Sequence, residues 1–454
     1  MKQHIPESLD IDELLFEKPP AFKYHRDNFI YILNLITEIP SRNKDLLGEN
    51  GWVPINAHTL QSRIRDYDKY LDYLIENKIL ETDNQYIPGE KSKEYRFTKE
   101  FRVVNKAVEI EKYTLIKSIL GNGYHRLGSE KKYPYLAKWF NPDLNIDYSS
   151  ATDYLYQEYE MNIMLEDENP DGKYNASMLN AEKFRDHEFY FHVDGTVNRL
   201  HTNLTNSKSG LRNFITYGGS GLVSVDIKNS QPWISTLLLD PRFYEKPKIG
   251  SFLFNIKDIY PKYTQDIFQS SQEMDSTIMI VNNELSLDGK GKGDIRTYTD
   301  KVLDGTLYDY IAGEVERTRG YVMPNRKAVK KMIFTVFFSA NQFFPQLEAW
   351  PKQMFNDLYP TVYDVFKSIK RHGQANLAIL LQRMESKLML DHVAKRIGKE
   401  CPGMPMFTIH DSIVCPFGEQ EYVSRIIQEE AFQCIGSIPM VKVESWLQGK
   451  SKVA

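Results

Sequence analysis

Three short stretches of this sequence carry side chains whose types and spacing suit chemistry on a triphosphate. Asp226 ends the apolar run Gly221-Leu-Val-Ser-Val-Asp226, and His410-Asp411 interrupts the run Met406-Phe-Thr-Ile-His410-Asp411-Ser412-Ile-Val-Cys415. Between them lies Arg326-x3-Lys330-x3-Phe334-x3-Phe338. Residues four apart form one slowly drifting stripe on a helix. Two cations at one end of the stripe suit phosphates, and an aromatic ring farther along suits a sugar and base. Cations in a first helical turn oppose the macrodipole, a cost that asks for a functional reason. Two aspartates from neighbouring strands can hold two hard cations about 4 Å apart, which clamp the attacking and leaving oxygens of an in-line displacement. Each stretch alone has a commoner structural reading. A lone aspartate at a strand end is usually a turn former, His-Asp can be a turn, and Arg326 with Lys330 can be a solvated helix face. Their joint order favours the chemical reading.

These residues need elements that present them. The run ending in Asp226 reads as a strand, the 326–338 stretch as a helix, and 406–415 as a hairpin with polar residues at its turn. From residue 191 onward short apolar strands alternate with longer helices. The 454 residues allow two or three domains. An apolar fraction of 41% with 26% charged residues indicates a soluble globular chain. No apolar run approaches the ~20 residues of a membrane span, and the acidic start MKQHIPESLDIDELL lacks a signal core, so the expected location is cytoplasmic. Cys401, Cys415 and Cys434 form no CxxC pair and predict neither a disulfide framework nor a zinc site. The net charge of −4 argues against a nucleic-acid coat protein, while leaving room for a local basic groove beside an acidic metal site.

Upstream, residues 1–26 read as a polar arm. Residues 27–103 resemble a winged helix-turn-helix. The expected parts are a helix over Asp27–Ile39, a short strand at Trp52–Ile55, a helix capped by Asn56 and a second helix carrying Tyr67, Tyr70, Leu71, Leu74 and Ile75. Then comes a hairpin of Gln85–Ile87 and Tyr95–Phe97 around Pro88-Gly89. Duplex contact would fall to Arg63, Arg65, Lys91 and Lys93. Asp66, Asp68, Asp72 and Glu76 make the second helix a poor groove reader, so a packing or partner-binding module is the alternative. Residues 104–190 read as a helical, thumb-like region with a turn at Asn169-Pro170-Asp171-Gly172.

With these motifs on the page, roughly residues 190–450 look like the family A DNA polymerases and the related single-subunit phage-type RNA polymerases. The strand of Asp226 resembles the first metal-binding motif, the 326–338 helix the nucleotide-binding helix of the fingers, and His410-Asp411 the histidine-aspartate hairpin. Asn198-Arg199-Leu200-His201-Thr202 is similar to the "GRLHT" segment, and Ile438–Glu444 to the closing strand. Gln382, placed at the opening of the helix before the hairpin, matches a primer–template glutamine. The sequence departs from the DNA polymerases at Gln231, where a glutamate excludes the ribose 2′-hydroxyl, and at Phe338, where its tyrosine partner stands. It departs again at Ser412, where His-Asp-Ser is similar to the RNA polymerases.

The resemblance implies an α+β right-hand polymerase over 191–454, with an antiparallel palm sheet, fingers at roughly 240–350 and helical fingers and thumb, preceded by the winged helix. It implies two Mg²⁺ ions, or Mn²⁺ in their place, on Asp226, Asp411 and the Ile227 carbonyl. Arg326, Lys330, Phe334, Phe338 and Gln231 would bind a dNTP, and His410, Gln382, Arg199, His201 and Arg212 a DNA primer-template. Asp288-Gly-Lys-Gly-Lys-Gly293 would be a basic fingers insertion rather than a P-loop, and no proofreading exonuclease is evident. The bulk of Gln231 and the Asn198–Thr202 match favour deoxynucleotides. The alternatives are an RNA polymerase or primase on the same scaffold, and a catalytically degenerate DNA-binding protein.

Overall fold

The computed structural model describes residues 1–43, 46–48, 50–87, 91–121, 123–245, 252–260, 264–287 and 293–446. They form two compact units. One comprises Met1–His192 with His201–Gly221 and the chain from Trp446; the other comprises Val193–Leu200 with Leu222–Ser445. No helix among the described residues is long and apolar enough to cross a membrane.

The first unit is built around the helix Arg26–Arg42, in which Phe29, Ile30, Tyr31, Ile32 and Leu33 are all buried. A helix buried on nearly every side must be enclosed: the helices Pro170–Arg185 and Ile11–Glu17, the strand Lys2–Pro6 and a small sheet with its helices pack around it. A three-stranded antiparallel sheet places Glu94–Phe97 between Val53–Pro54 and Leu80–Thr82. The helices Ala57–Gln61 and Tyr67–Glu76 lie in sequence between Val53–Pro54 and Leu80–Thr82. Asn56 caps the former, its side chain accepting from the amides of His58 at 2.8 Å and Thr59 at 3.3 Å.

The structure differs from the sequence expectation here in four places. Residues 1–26 are not a loose arm: Lys2–Pro6 pairs antiparallel with Asn105–Glu109, and Ile11–Glu17 is a helix. The apolar side chains Ile5, Leu9, Ile11 and Leu15, diluted among charges in the sequence, enter the core. That core runs from Ile5 through Leu115, so the expected boundary at 103/104 cuts through it. The hairpin partner of Tyr95–Phe97 is Leu80–Thr82 rather than Gln85–Ile87, which makes only the Ile87–Lys91 bridge. The apolar Leu80 outcompetes the polar Gln85 for the buried face. Finally, Asn169 and Pro170 open the helix Pro170–Arg185, as N-cap and first residue, instead of closing a turn. The expected turn at Pro88-Gly89 and the residues 288–292 of the expected insertion lie outside the described residues.

In the second unit a chain-order labelling suffices for the elements that matter: β1 (Ser220–Ile227), α1 (Ser230–Ser235), α2 (Arg326–Phe338), α3 (Asn376–Ser386), β2 (Phe407–Ile409), β3 (Ser412–Pro416) and β4 (Val441–Ser445). β1 is central, antiparallel to β3 on one side and β4 on the other, and β2 pairs outside β3. The first two residues of β1, Ser220 and Gly221, belong to the first unit and pair there with Tyr217 and Thr216. Directly after α3 the chain continues as a π-helix over Lys387–Ala394.

The N-terminal strand gives a direct test. Ile5→Ala should cost about 2–4 kcal/mol of stability by urea denaturation, as a buried aliphatic truncation does. A loss near zero would return the segment to a dispensable arm.

Candidate active site

β1 carries Leu222, Val223 and Val225 buried and ends half-exposed at Asp226. Its register sets Asp226 opposite Ser412 of β3 and Lys442 of β4. β2 and β3 are joined by the two-residue turn His410-Asp411, closed by the Ile409–Ser412 pair. His410 is left-handed at φ 53°, a conformation that histidine tolerates better than most side chains. The turn reaches over to β1, where the Ile227 amide donates to the Asp411 carbonyl at 3.2 Å. The two aspartates therefore sit at the same end of adjacent strands.

Both carboxyls are held above the usual aspartate range, in each case chiefly by burial. Asp226 is raised further by the charges of Asp411 and Glu444, against hydrogen bonds from Ser224, at 3.0 Å, and Ser412. Asp411 is pulled back by a hydrogen bond from Ser230 and by the charges of Arg199 and Lys330. A half-buried pair of like charges is costly without a counter-cation. Two carboxylates with a nearby main-chain carbonyl supply the hard oxygen donors that Mg²⁺ or Mn²⁺ takes. The donor set fits such ions.

α2 presents the expected stripe. Asn325 caps it, accepting from the Ala328 amide at 3.0 Å. Val329, Met332, Ile333, Val336 and Phe337 face inward, whereas Arg326 and Lys330 are exposed and Phe334 and Phe338 half-buried. Lys330 lies 5.2 Å from the Phe334 ring centre, and the Phe334 and Phe338 rings are 5.2 Å apart. Lys330 is the cation whose charge reaches Asp411. Arg326 turns to the preceding helix, 5.1 Å from the Tyr308 ring and 3.8 Å from Asp309.

The other end of α2 carries two lysines that the motif search missed. Lys370 is 2% exposed and donates to the carbonyls of Val336 at 2.6 Å and Ser339 at 3.2 Å. Lys352, fully buried, donates to Ala340 at 2.7 Å. Lys370 satisfies carbonyls that the helix end leaves without partners, whereas Lys352 holds the Ala340 carbonyl just beyond it, which also accepts from the Phe343 amide at 3.2 Å. Burial pushes Lys352 down to about 8; burial and then the Lys352 charge push Lys370 down to about 7.

A third carboxylate was also missed. Glu385 of α3 is 1% exposed and bonded to Arg199 and Ser230. Burial, helped by the charge of Asp411, pushes it up to about 7 despite Arg199. The available signal was an acid inside the apolar helix Leu380-Leu-Gln-Arg-Met-Glu385-Ser-Lys-Leu-Met-Leu390. Gln382 lies well inside α3 rather than at its opening, because the helix already starts at Asn376, whose amide donates to Gly373. Gln231 is buried in α1. Arg199 and His410 lie in the second unit, whereas His201 and Arg212 belong to the first.

Of the expected duplex contacts, Lys91 is paired with Asp83 at 2.7 Å and Glu94 at 3.2 Å, and Arg63 with the Tyr31 hydroxyl. Arg65 and Lys93 are exposed. Cys434 joins His392 and Glu430 with ligand-type atoms within 4.8 Å of one another. Arg396 bonds one Glu430 oxygen at 3.0 Å and His392 lies 3.6 Å from the other, which makes the cluster an ion-pair network.

No protein-family model matches the sequence, and no curated protein matches it. Among solved structures the chain is similar to the POL domain of Pol1 from M. smegmatis in complex with DNA primer-template and dNTP. The match has 12% identity and a TM-score of 0.40, over 73% of this chain and 71% of that one. A likeness that distant assigns no chemistry to this chain, which rests on its own side chains.

The lysine clamp predicts a pH dependence. An unfolded lysine keeps its proton to about pH 10.4. Between about 7 and that value the unfolded chain binds more protons than the folded one, so this site's contribution to stability rises with pH. Relative to Lys370→Met, the wild type should gain about 2–3 kcal/mol between about pH 6.5 and 9 by chemical denaturation. A difference that stays flat with pH would show that the folded chain keeps Lys370 protonated despite its burial.

Proposed function

We propose that this chain is a template-directed DNA polymerase that extends a primer 3′-hydroxyl with dNTPs. The observation that carries the reading is the pair Asp226 and Asp411. They stand together on adjacent antiparallel strands, half-buried, with Lys330 of a cation-and-aromatic helix stripe close enough for its charge to act on Asp411. In this reading β1–β4 are the palm sheet, α2 belongs to the fingers, and the helices Tyr148–Met164 and Pro170–Arg185 to the thumb.

Asp226, Asp411 and the Ile227 carbonyl would hold two Mg²⁺ ions, which supply charge neutralisation at the attacking and leaving oxygens. The chain's own side chains do the rest. Lys330 and Arg326 take the β- and γ-phosphates, and the exposed edge of Phe334 receives the sugar and base. Phe338 and Gln231 border the sugar. Arg199, His410 and Gln382 orient the primer end, with His201 and Arg212 as further duplex contacts. The helix–strand–helix–helix–hairpin order of residues 26–97 supports a winged helix, in which Arg65 and Lys93 are the exposed cations.

One observation favours an RNA polymerase or primase on the same scaffold. The Gln231 side-chain oxygen is buried with no hydrogen-bond partner among the described residues, and a ribose 2′-hydroxyl would satisfy it. Side-by-side incorporation of dNTPs and rNTPs decides. The bulk of Gln231 favours dNTPs, and a clear preference for rNTPs would transfer the assignment to the second reading.

Primer extension with purified Asp411→Asn should fall by about 10³-fold or more, a loss of ~4 kcal/mol of transition-state stabilisation. Because folding holds Asp411 above its ordinary range, the same variant in EDTA at neutral pH should melt at a higher temperature than the wild type. Extension that survives the substitution sinks the proposed mechanism.

A further inference from the structure

Glu385 makes an expensive arrangement. It is almost completely buried, and both of its oxygens are engaged. Oε1 accepts from Arg199, from Nε at 3.1 Å and also from Nη2, and Oε2 accepts from the Ser230 hydroxyl at 3.3 Å. The single Ser230 hydroxyl proton is shared between Oε2 and Asp411, and the Arg199 charge reaches Asp411 as well. A buried ion pair contributes little stability beyond what an apolar pair of the same volume would give, so stability alone does not account for it.

The loop that carries Arg199 is fixed with equal care. Asp194 accepts from the amides of Thr196 at 2.8 Å, Val197 at 2.7 Å and Arg199 at 2.8 Å. Arg383, on the same helix as Glu385, donates to the Thr196 carbonyl at 2.6 Å. Asp194 thus fixes the Arg199 backbone from within the loop, while α3 braces that loop through Arg383 and holds the guanidinium through Glu385. Arg199 already acts on Asp411 through its charge, so without Glu385 that carboxylate is a partner open to it. An arginine–carboxylate pair there would be charge-assisted and bidentate, and its guanidinium would stand where a cation must bind.

We propose that Glu385 is a positioning residue that holds Arg199 off Asp411 and thereby keeps the aspartate pair open to divalent cations. The inference rests on the polymerase reading for the identity of the cations. It assigns Glu385 no contact with substrate: its oxygens are used up on Arg199 and Ser230.

Mn²⁺ binding to the metal-free full chain, followed by the loss of the free Mn²⁺ EPR signal without nucleotide or DNA, tests this. Glu385→Gln should weaken binding tenfold or more. Arg199→Ala alone should leave it unchanged or tighten it, and Arg199→Ala combined with Glu385→Gln should restore it to within about threefold of the wild type, a small residue on a scale where tenfold is 1.4 kcal/mol. A Glu385→Gln protein that binds like the wild type overturns the proposal. So does a double variant as weak as the single, which would mark Glu385 as a packing residue, or Arg199→Ala binding more weakly than wild type. Primer extension by the wild type separates the two ideas. If the wild type extends a primer but the variants bind Mn²⁺ alike, only this inference falls; if the wild type neither binds Mn²⁺ nor extends, both fall.

Discussion

Two like charges held side by side on neighbouring strands are the constraint around which the second unit is organised. The strands fix Asp226 and Asp411 through the backbone ladder, so neither can relax away without breaking sheet hydrogen bonds. Burial then makes both prefer neutrality. Each compensating element answers that strain. The Ser224 hydroxyl of β1 donates to Asp226, the Ser230 hydroxyl of α1 shares its proton between Asp411 and Glu385, and Arg199 and Lys330 bring positive charge from a loop and a helix. Glu385 keeps the Arg199 guanidinium engaged. The site is preorganised in that its charge is tolerated by fixed groups rather than by water.

α2 shows a related economy. Its first turn carries cations where the helix pole is already positive, and the carbonyls at and just beyond its end receive two more lysines. The unfavourable end is exposed, where water and an anion can relieve it; the favourable end is buried. A helix anchored at its buried C-terminus and exposed at its basic N-terminus presents Lys330 beside the Phe334 ring, with the Phe334 and Phe338 rings tilted against each other at 54°.

Much of this was legible in the sequence because it is local. The hairpin shows as an apolar run broken by His410-Asp411, the strand of Asp226 as an apolar run with a carboxylate at its end, and the stripe as a four-residue repeat. What was not legible depends on partners far along the chain. Arg199 and Glu385 are 186 residues apart, and nothing local marks them as a pair. Lys352 and Lys370 look like ordinary surface lysines until the helix end they cap is known. The N-terminal strand was lost because Ile5, Leu9, Ile11 and Leu15 are scattered among charged residues, and its pairing partner lies a hundred residues away at Asn105–Glu109. The hairpin register of the first unit went wrong because two short candidate strands precede Glu94, and only burial of Leu80 chooses between them.

The π-helix that follows α3 bears on how such a site tolerates history. A π-turn carries more residues per turn than an α-helix, so Lys387–Ala394 stores surplus chain length without interrupting the rod. Loss of one residue there would let the rod wind back to α geometry. Because the wide turns already hold the extra residue, the flanking α-helical segments would keep nearly the facing they have now. Gln382, Arg383 and Glu385 would stay with their neighbours, whereas the same loss from a regular helix would turn everything upstream by about 100°, the angle of a single α-helical residue. The segment thus buffers one wall of the site against the gain or loss of a single residue, a tolerance that a regular helix does not offer.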